Sequence, residues 1–316
     1  MNIGERKLVE MFVRALHSDN HVLVRAGADD AAVVLTGRER LALTTDIMFA
    51  PTHFPKGIDF EAMGRKIAVA NLSDLAAMGA RPLAFLCSVG LPKKIGARNA
   101  EKIIRGINKT CKEYDISFVG GDTKRAREIT LCGFAIGVID GDALLQKNAR
   151  AGDVLAVTGN IGSAACGLYA LLRNIKTRLT RSFTHPHARI REGQIISRAK
   201  IGAGAVDITD GLLYSARLLS EKSRVRINIE KDKIPILREA RAFARKNNLS
   251  DEYLLDTGED YELLISLRAR DFKKMKNKLV RVGCALNRIG KITRGAGVFL
   301  DGKKVVSHGY DAFRKK

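Results

Sequence analysis

Apolar segments of strand length alternate with segments of helical period along nearly the whole chain, and carboxylates gather where those segments end. Ala32-Val33-Val34-Leu35 and Leu41-Ala42-Leu43-Thr44 read as two strands around the turn Gly37-Arg38-Glu39-Arg40. Residues 4–17 carry Leu8, Phe12, Ala15 and Leu16 at helical spacing. Residues 60–79, rich in Ala, Leu and Met, read as a helix, and Pro82 to Gly90 as a strand. Residues 97–114 read as a helix burying Ile103, Ile104, Ile107 and Cys111, followed by strands over 116–119 and 129–139. Turn chemistry at Gly141-Asp142, Lys147-Asn148 and Ala151-Gly152-Asp153 places a domain join near residue 145. The expected domains are 1–145 and 146–316.

The second half alternates in the same way. Strands are expected over 154–157, 205–208, 225–229 and 262–267, and helices over 162–173, 188–200, 211–222 and 237–247. Such a pattern means an α/β or mixed α+β architecture. With 316 residues, 46% of them hydrophobic, the chain is long enough for two domains with a sizeable core.

Other classes lose support. No stretch approaches about 18 uninterrupted apolar residues, so no membrane span is expected. The start Met1-Asn2-Ile3-Gly4-Glu5-Arg6-Lys7 lacks the apolar segment of a secretory signal, which makes the cytoplasm the default location. Cys87, Cys111, Cys132, Cys166 and Cys284 are odd in number and scattered, and read as reduced core residues. His185-Pro186-His187 reads as a proline loop rather than a zinc site. The net charge of +21 suits nucleic acid or any anionic substrate. However, the basic residues are dispersed, Trp is absent and aromatics are 6%, so no specific nucleic-acid partner is expected.

The acids stand out against this basic background. They fall in Gly27-Ala28-Asp29-Asp30, Thr44-Thr45-Asp46, Asn71-Leu72-Ser73-Asp74, Gly120-Gly121-Asp122-Thr123, Asp207-Ile208-Thr209-Asp210-Gly211 and Gly258-Glu259-Asp260-Tyr261-Glu262. Singly, each aspartate is more often a cap or turn residue than a functional one. Together, at strand ends and loops, they suit hard-cation ligands. Asn71 and Asp74 lie one helical turn apart and can face one site. No Walker loop is present, and Gly202-Ala203-Gly204-Ala205 fits a dinucleotide fingerprint poorly. Thr158-Gly159-Asn160-Ile161-Gly162-Ser163 follows a strand and opens a helix. It is either an anion-binding helix start or an ordinary glycine turn.

This order of motifs resembles the thiamine-monophosphate kinases, within the aminoimidazole-ribonucleotide-synthetase-like superfamily. The match runs from Ala28-Asp29-Asp30-Ala31-Ala32 through Thr44-Thr45-Asp46, His53-Phe54, Asn71 to Ala80 and Gly120 to Thr123. It continues through Ala205 to Leu212 and Gly258 to Leu263, and ends at Gly309-Tyr310-Asp311-Ala312-Phe313. The chain departs at Ala28, where the family usually has Gly, and at Leu145-Gln146-Lys147-Asn148, where the family often has an arginine.

The resemblance implies a two-domain fold whose N-terminal sheet pairs across a homodimer, and transfer of phosphate from ATP to thiamine monophosphate. The acceptor phosphate is itself a nucleophile, so no residue is expected as general base. Several Mg²⁺ ions are implied instead, with Asp30, Thr44, Thr45, Asp46, Asp74, Asp122, Asp207 and Asp210 as ligands. Gly121, Asp122 and Thr209 would lie by the ATP phosphates, with Lys147 substituting for the linker arginine. His53, Glu259 and Tyr310 would contact thiamine monophosphate. Asp29 would be a further ligand or a supporting acceptor, Asn71 would orient Asp74, and Glu262 would be structural. Other ATP-using members of the superfamily are the nearest alternatives, and a non-enzymatic basic binding protein is the more distant one.

Overall fold

The computed structural model describes residues 4–309. The first half runs α1 (Glu5–Ala15), β1 (Val22–Val24), β2 (Ala32–Thr36), β3 (Glu39–Phe49), α2 (Ala50–His53), α3 (Phe60–Ala77), β4 (Arg81–Leu91), α4 (Ala97–Glu113), β5 (Ser117–Gly120), β6 (Thr123–Arg125) and β7 (Thr130–Val138). The second half runs β8 (Asp153–Thr158), α5 (Ser163–Leu172), α6 (Thr180–Thr184), α7 (Ile190–Arg198), β9 (Gly204–Asp207), α8 (Leu212–Ser223), β10 (Arg226–Ile229), α9 (Arg238–Lys246), α10 (Asp251–Asp256), β11 (Leu263–Arg268), α11 (Ala269–Val280), β12 (Leu286–Thr293), β13 (Gly297–Leu300) and β14 (Lys303–Val305).

Each half builds one seven-stranded sheet. The first has the order β1-β2-β3-β7-β4-β5, with β6 also on β4, and the second β14-β13-β10-β12-β8-β11-β9. Most neighbours are antiparallel; β4 runs parallel to β5 and β6, and β10 to β13. This is the mixed two-domain architecture expected from the alternation.

Helix α3 is the element both halves share. It starts on Asp59, whose carboxylate accepts from the Glu61 amide at 3.0 Å. Fourteen of its 18 residues are buried, which explains apolar residues all round it. It packs on β7 and α4 of its own half and on α7 and β9 of the other. Strand β8 is likewise buried on both faces, which explains its unbroken apolar run. Val154 and Ala156 join the core that spans both halves, and Leu155 and Val157 join a second core inside the C-terminal sheet.

Some expectations need correcting. In α4, Ile103, Ile107 and Cys111 are buried, but Ile104 is 38% exposed because it lies off that stripe. Helix α11 lies within a Lys-rich stretch for which no element was expected; Met275 and Leu279, one turn apart, are its buried anchors. All five cysteines are free. Among the described residues, no helix is long and apolar enough to cross a membrane.

Candidate active site

Side chains alternate along a strand, so Thr44 and Asp46 share one face of β3 and Thr45 takes the other. Thr44 Oγ1 donates to the Asp74 carboxylate, near the end of α3. Thr45 Oγ1 instead donates to the Gly133 carbonyl of β7 at 2.8 Å. The hydroxyl expected as a metal ligand therefore points away from Asp46 and Asp74. Asp30 arrives from the loop before β2, Asp207 from the end of β9, and Asp210 from the turn before α8. Ser73, the neighbour of Asp74, donates to Asp207 Oδ2 at 2.6 Å and joins the two halves.

These five aspartates lie deep among protein atoms, yet all but Asp207 keep an edge open to solvent, as in a cleft. Burial pushes every one of them up, to about 7 for Asp46 and Asp210 and about 6 for Asp207. Asp30 and Asp74 are raised well above the usual carboxylate value by burial and then by neighbouring carboxylates. Asp30 Oδ2 and Asp46 Oδ2 are buried without a hydrogen-bond partner. Crowded, under-satisfied oxygens with no nitrogen or sulfur among them fit a hard divalent cation such as Mg²⁺. Among the described residues, no three acidic, His or Cys side chains form a ready-made cage for one ion.

Around this group the structure sorts the remaining candidates. Gly121 and Asp122 are exposed on the β5–β6 turn, outside the buried acids. Asp122 pairs with Lys124 at 3.2 Å and accepts from the Thr123 amide at 2.8 Å, which lowers its pKa. A Cβ on Gly121 would fall 1.9 Å from the Cys87 carbonyl oxygen, so the turn needs glycine for that close approach. Thr209 Oγ1 lies 3.4 Å from Asp207 Oδ1. Lys147 is exposed; its neighbour Gln146 is buried and donates its side-chain amide to Asp30 at 3.0 Å and its backbone N–H to Asp29 at 3.0 Å. Ala28 has no left-handed backbone, so its methyl group is accommodated. Asn71 donates to the Ile67 carbonyl at 2.9 Å rather than to Asp74.

The turn carrying Glu259 is built tightly. Gly258 has φ +79°, and a Cβ there would lie 2.0 Å from the Thr209 carbonyl oxygen. Glu259 itself has φ +65° and Tyr261 has φ +53°. Such left-handed non-glycine residues concentrate at functional sites. Glu259 forms an ion pair with the fully buried Lys66 of α3. The charges of Glu259 and Lys66 both act on His53, whose pKa is lowered mainly by burial. Asp260 occupies the start of α5, accepting from the Gly162 amide at 3.0 Å and the Ala164 amide at 3.4 Å. The carboxyl group at that helix N-terminus is thus the protein's own. Glu262 accepts from Thr158 Oγ1 and Arg189 Nε, each at 2.6 Å. Tyr310 lies outside the described residues.

Residues 28–139 match the AIR synthase related protein N-terminal domain, and residues 150–303 match its C-terminal domain. The chain is 34% identical over 298 residues to the thiamine-monophosphate kinase of Pyrococcus horikoshii, covering 94% of this chain and 90% of that protein.

The chain belongs to the thiamine-monophosphate kinase family.

Its fold agrees with that membership. It matches AaThiL complexed with AMPPCP and TMP at a TM-score of 0.87, with 30% identity, covering 98% of this chain and 97% of that one. It matches the thiamine monophosphate kinase from Aquifex aeolicus at a TM-score of 0.82, with 28% identity, covering 94% of this chain and 97% of that one. Motif reading of a thiamine-monophosphate kinase missed Lys66, Ser73 and Gln146. Only Ser73 lay inside a recognised motif. Arg65 and Lys66 stand side by side ahead of the apolar run Ile67 to Ala70, and nothing local marks which of the two is buried; lysine is almost never fully buried unless paired.

Proposed function

We propose that this protein transfers the γ-phosphoryl group of ATP to thiamine monophosphate, giving ADP and thiamine diphosphate. The observation that carries this reading is the meeting of Asp30, Asp46, Asp74, Asp207 and Asp210 in one cleft, in a chain of this family.

The acceptor is a phosphate monoester, about doubly charged near neutral pH because its second pKa is about 6. Its oxygen attacks without a base, so the protein's task is to bring two polyanions together and align them. Asp30, Asp46, Asp74, Asp207 and Asp210 would hold Mg²⁺, with Thr44 fixing the Asp74 carboxylate and Ser73 fixing that of Asp207. Bound there, Mg²⁺ would supply charge neutralisation for the reacting phosphates. Gly121, Asp122 and Thr209 are assigned to the nucleotide side. An open hollow of about 610 Å³, lined by Lys93, Lys94, Arg125 and Arg127, lies beside the Asp122 turn and would draw polyanions. His53 and Glu259 are assigned to the acceptor, and the partly exposed Glu259 carboxylate suits the cationic thiazolium ring.

A homodimer is proposed through the face of the first sheet that α3 and α4 leave uncovered. Ile47, 48% exposed, and Val119, 57% exposed, are apolar residues left open on that sheet. The cytoplasm is the proposed location, in keeping with five free cysteines.

ADP release by the purified protein, with ATP and Mg²⁺ and with or without thiamine monophosphate, tests the reading. Release that requires the acceptor, with thiamine diphosphate appearing, supports it. Release indifferent to the acceptor moves the activity to another member of the superfamily.

A further inference from the structure

We infer that Lys66 is a positioning residue for the acceptor: it holds the Glu259 carboxylate in place and thereby sets affinity for thiamine monophosphate. This rests on the proposed contact between Glu259 and that substrate.

The ammonium of Lys66 is enclosed by protein groups. It meets the Glu259 carboxylate. It also meets the Phe183 carbonyl oxygen at 3.4 Å, and Nζ sits 3.8 Å from the centre of the Phe183 ring. Lys66 is completely buried, whereas the Glu259 side chain remains 19% exposed. The buried cation is therefore shut away from a phosphate in the cleft, and only the carboxylate end of the pair is exposed. That separates a positioning role from a direct catalytic one.

The backbone of Glu259 is already fixed, since its N–H donates to the Thr209 carbonyl at 2.8 Å and that of Tyr261 to the Ile208 carbonyl at 3.0 Å. What remains is the side chain, which the Tyr261 hydroxyl and the Lys66 ammonium both hold. The pair also has an electrostatic reason. The charge of Glu259 acts on Asp46 and Asp210, both of which it raises. A fixed cation behind Glu259 offsets this repulsion without entering the cleft.

Lys66 and Ser73 are seven residues apart on α3, about 20° short of two full turns, and so share a helix face. Ser73 holds Asp207 and Lys66 holds Glu259, both from the second half of the chain. One face of one helix thus sets the metal-side carboxylate and the acceptor-side carboxylate in a common register.

Steady-state kinetics of the full chain with ATP and Mg²⁺ test this, using Lys66→Met, Lys66→Arg, Glu259→Gln and the double variant Lys66→Met/Glu259→Gln. Lys66→Met is expected to raise KM for thiamine monophosphate about tenfold or more, with KM for ATP within about twofold of wild type. Lys66→Arg is expected to recover most of that loss. The double variant should match Glu259→Gln alone, because Lys66 acts only through that carboxylate. If Lys66→Met is too unstable to purify, the double variant, which buries no lone charge, carries the comparison. A Lys66→Met enzyme that melts earlier but keeps its KM for thiamine monophosphate overturns the proposal. So does a double variant whose KM exceeds that of Glu259→Gln severalfold. Wild-type protein that releases no acceptor-dependent ADP overturns the functional reading instead, and the proposal with it.

Discussion

Ser73 Oγ donates to Asp207 Oδ2 at 2.6 Å across 134 residues of sequence. This bond fastens the helix that carries Asp74 to the strand that carries Asp207, so the two halves of the cleft share one buried joint. Ser73 is fully buried and Asp207 nearly so. Ser73→Ala leaves a buried carboxylate oxygen without its donor and is expected to destabilise the protein by about 1–3 kcal/mol. Urea unfolding of the metal-free protein measures this, and an unchanged midpoint would refute it.

Asp74→Asn tests the assignment of the acid group. Turnover is expected to fall by at least about a hundredfold, as when a group that acts on developing charge is removed. The metal-free variant should melt no earlier than wild type, because a neutral amide relieves repulsion from Asp46, Asp207 and Asp30. Full activity with Mg²⁺ would remove Asp74 from the ligand set.

Thr44 and Thr45 offer an internal control. Thr44→Val deletes the donor to Asp74 and is expected to lower kcat about tenfold or more, whereas Thr45→Val, on the opposite face of β3, should stay within about twofold. Equal losses from both would mean that the face assignment is wrong.

The raised carboxylates predict an unusual pH dependence. Unfolded, they ionise from the ordinary value of 3.8; folded, Asp207 holds its proton to about 6, and Asp46 and Asp210 to about 7. Between about pH 4 and pH 7 the native state binds more protons than the unfolded one, so these groups make the metal-free protein less stable as pH rises. Above about 7 the loss from them is complete. A divalent cation competes with those protons, so Mg²⁺ should raise the melting temperature more at pH 8 than at pH 5. Melting curves at both pH values, with and without Mg²⁺, decide it; a larger Mg²⁺ effect at pH 5 would count against the site.

Much of this molecule was legible from residue order. The strand alternation around Gly37 and the all-apolar run at Val154 each mark an element that forms as read. Thr45 is grouped with Asp46 by its motif, although period two alone puts the two side chains on opposite faces of β3. The α5 start looked equally suited to a bound anion, and nothing near Gly162 in sequence announces that Asp260 fills that place. Helix α11 was hidden because only Met275 and Leu279 mark its buried side among many lysines.

Local chemistry, the periods of two and of 3.6 residues and the turn residues between them, determined the elements, and the order of acidic motifs determined the family. Tertiary structure alone decided which of those acids meet, that Asp122 stays at the exposed rim, and that a lysine 193 residues away from Glu259 becomes its partner. Periodicity extends only a few turns along a chain. The energies that gather a buried carboxylate group act through space between segments whose meeting depends on the packing of α3 against both sheets.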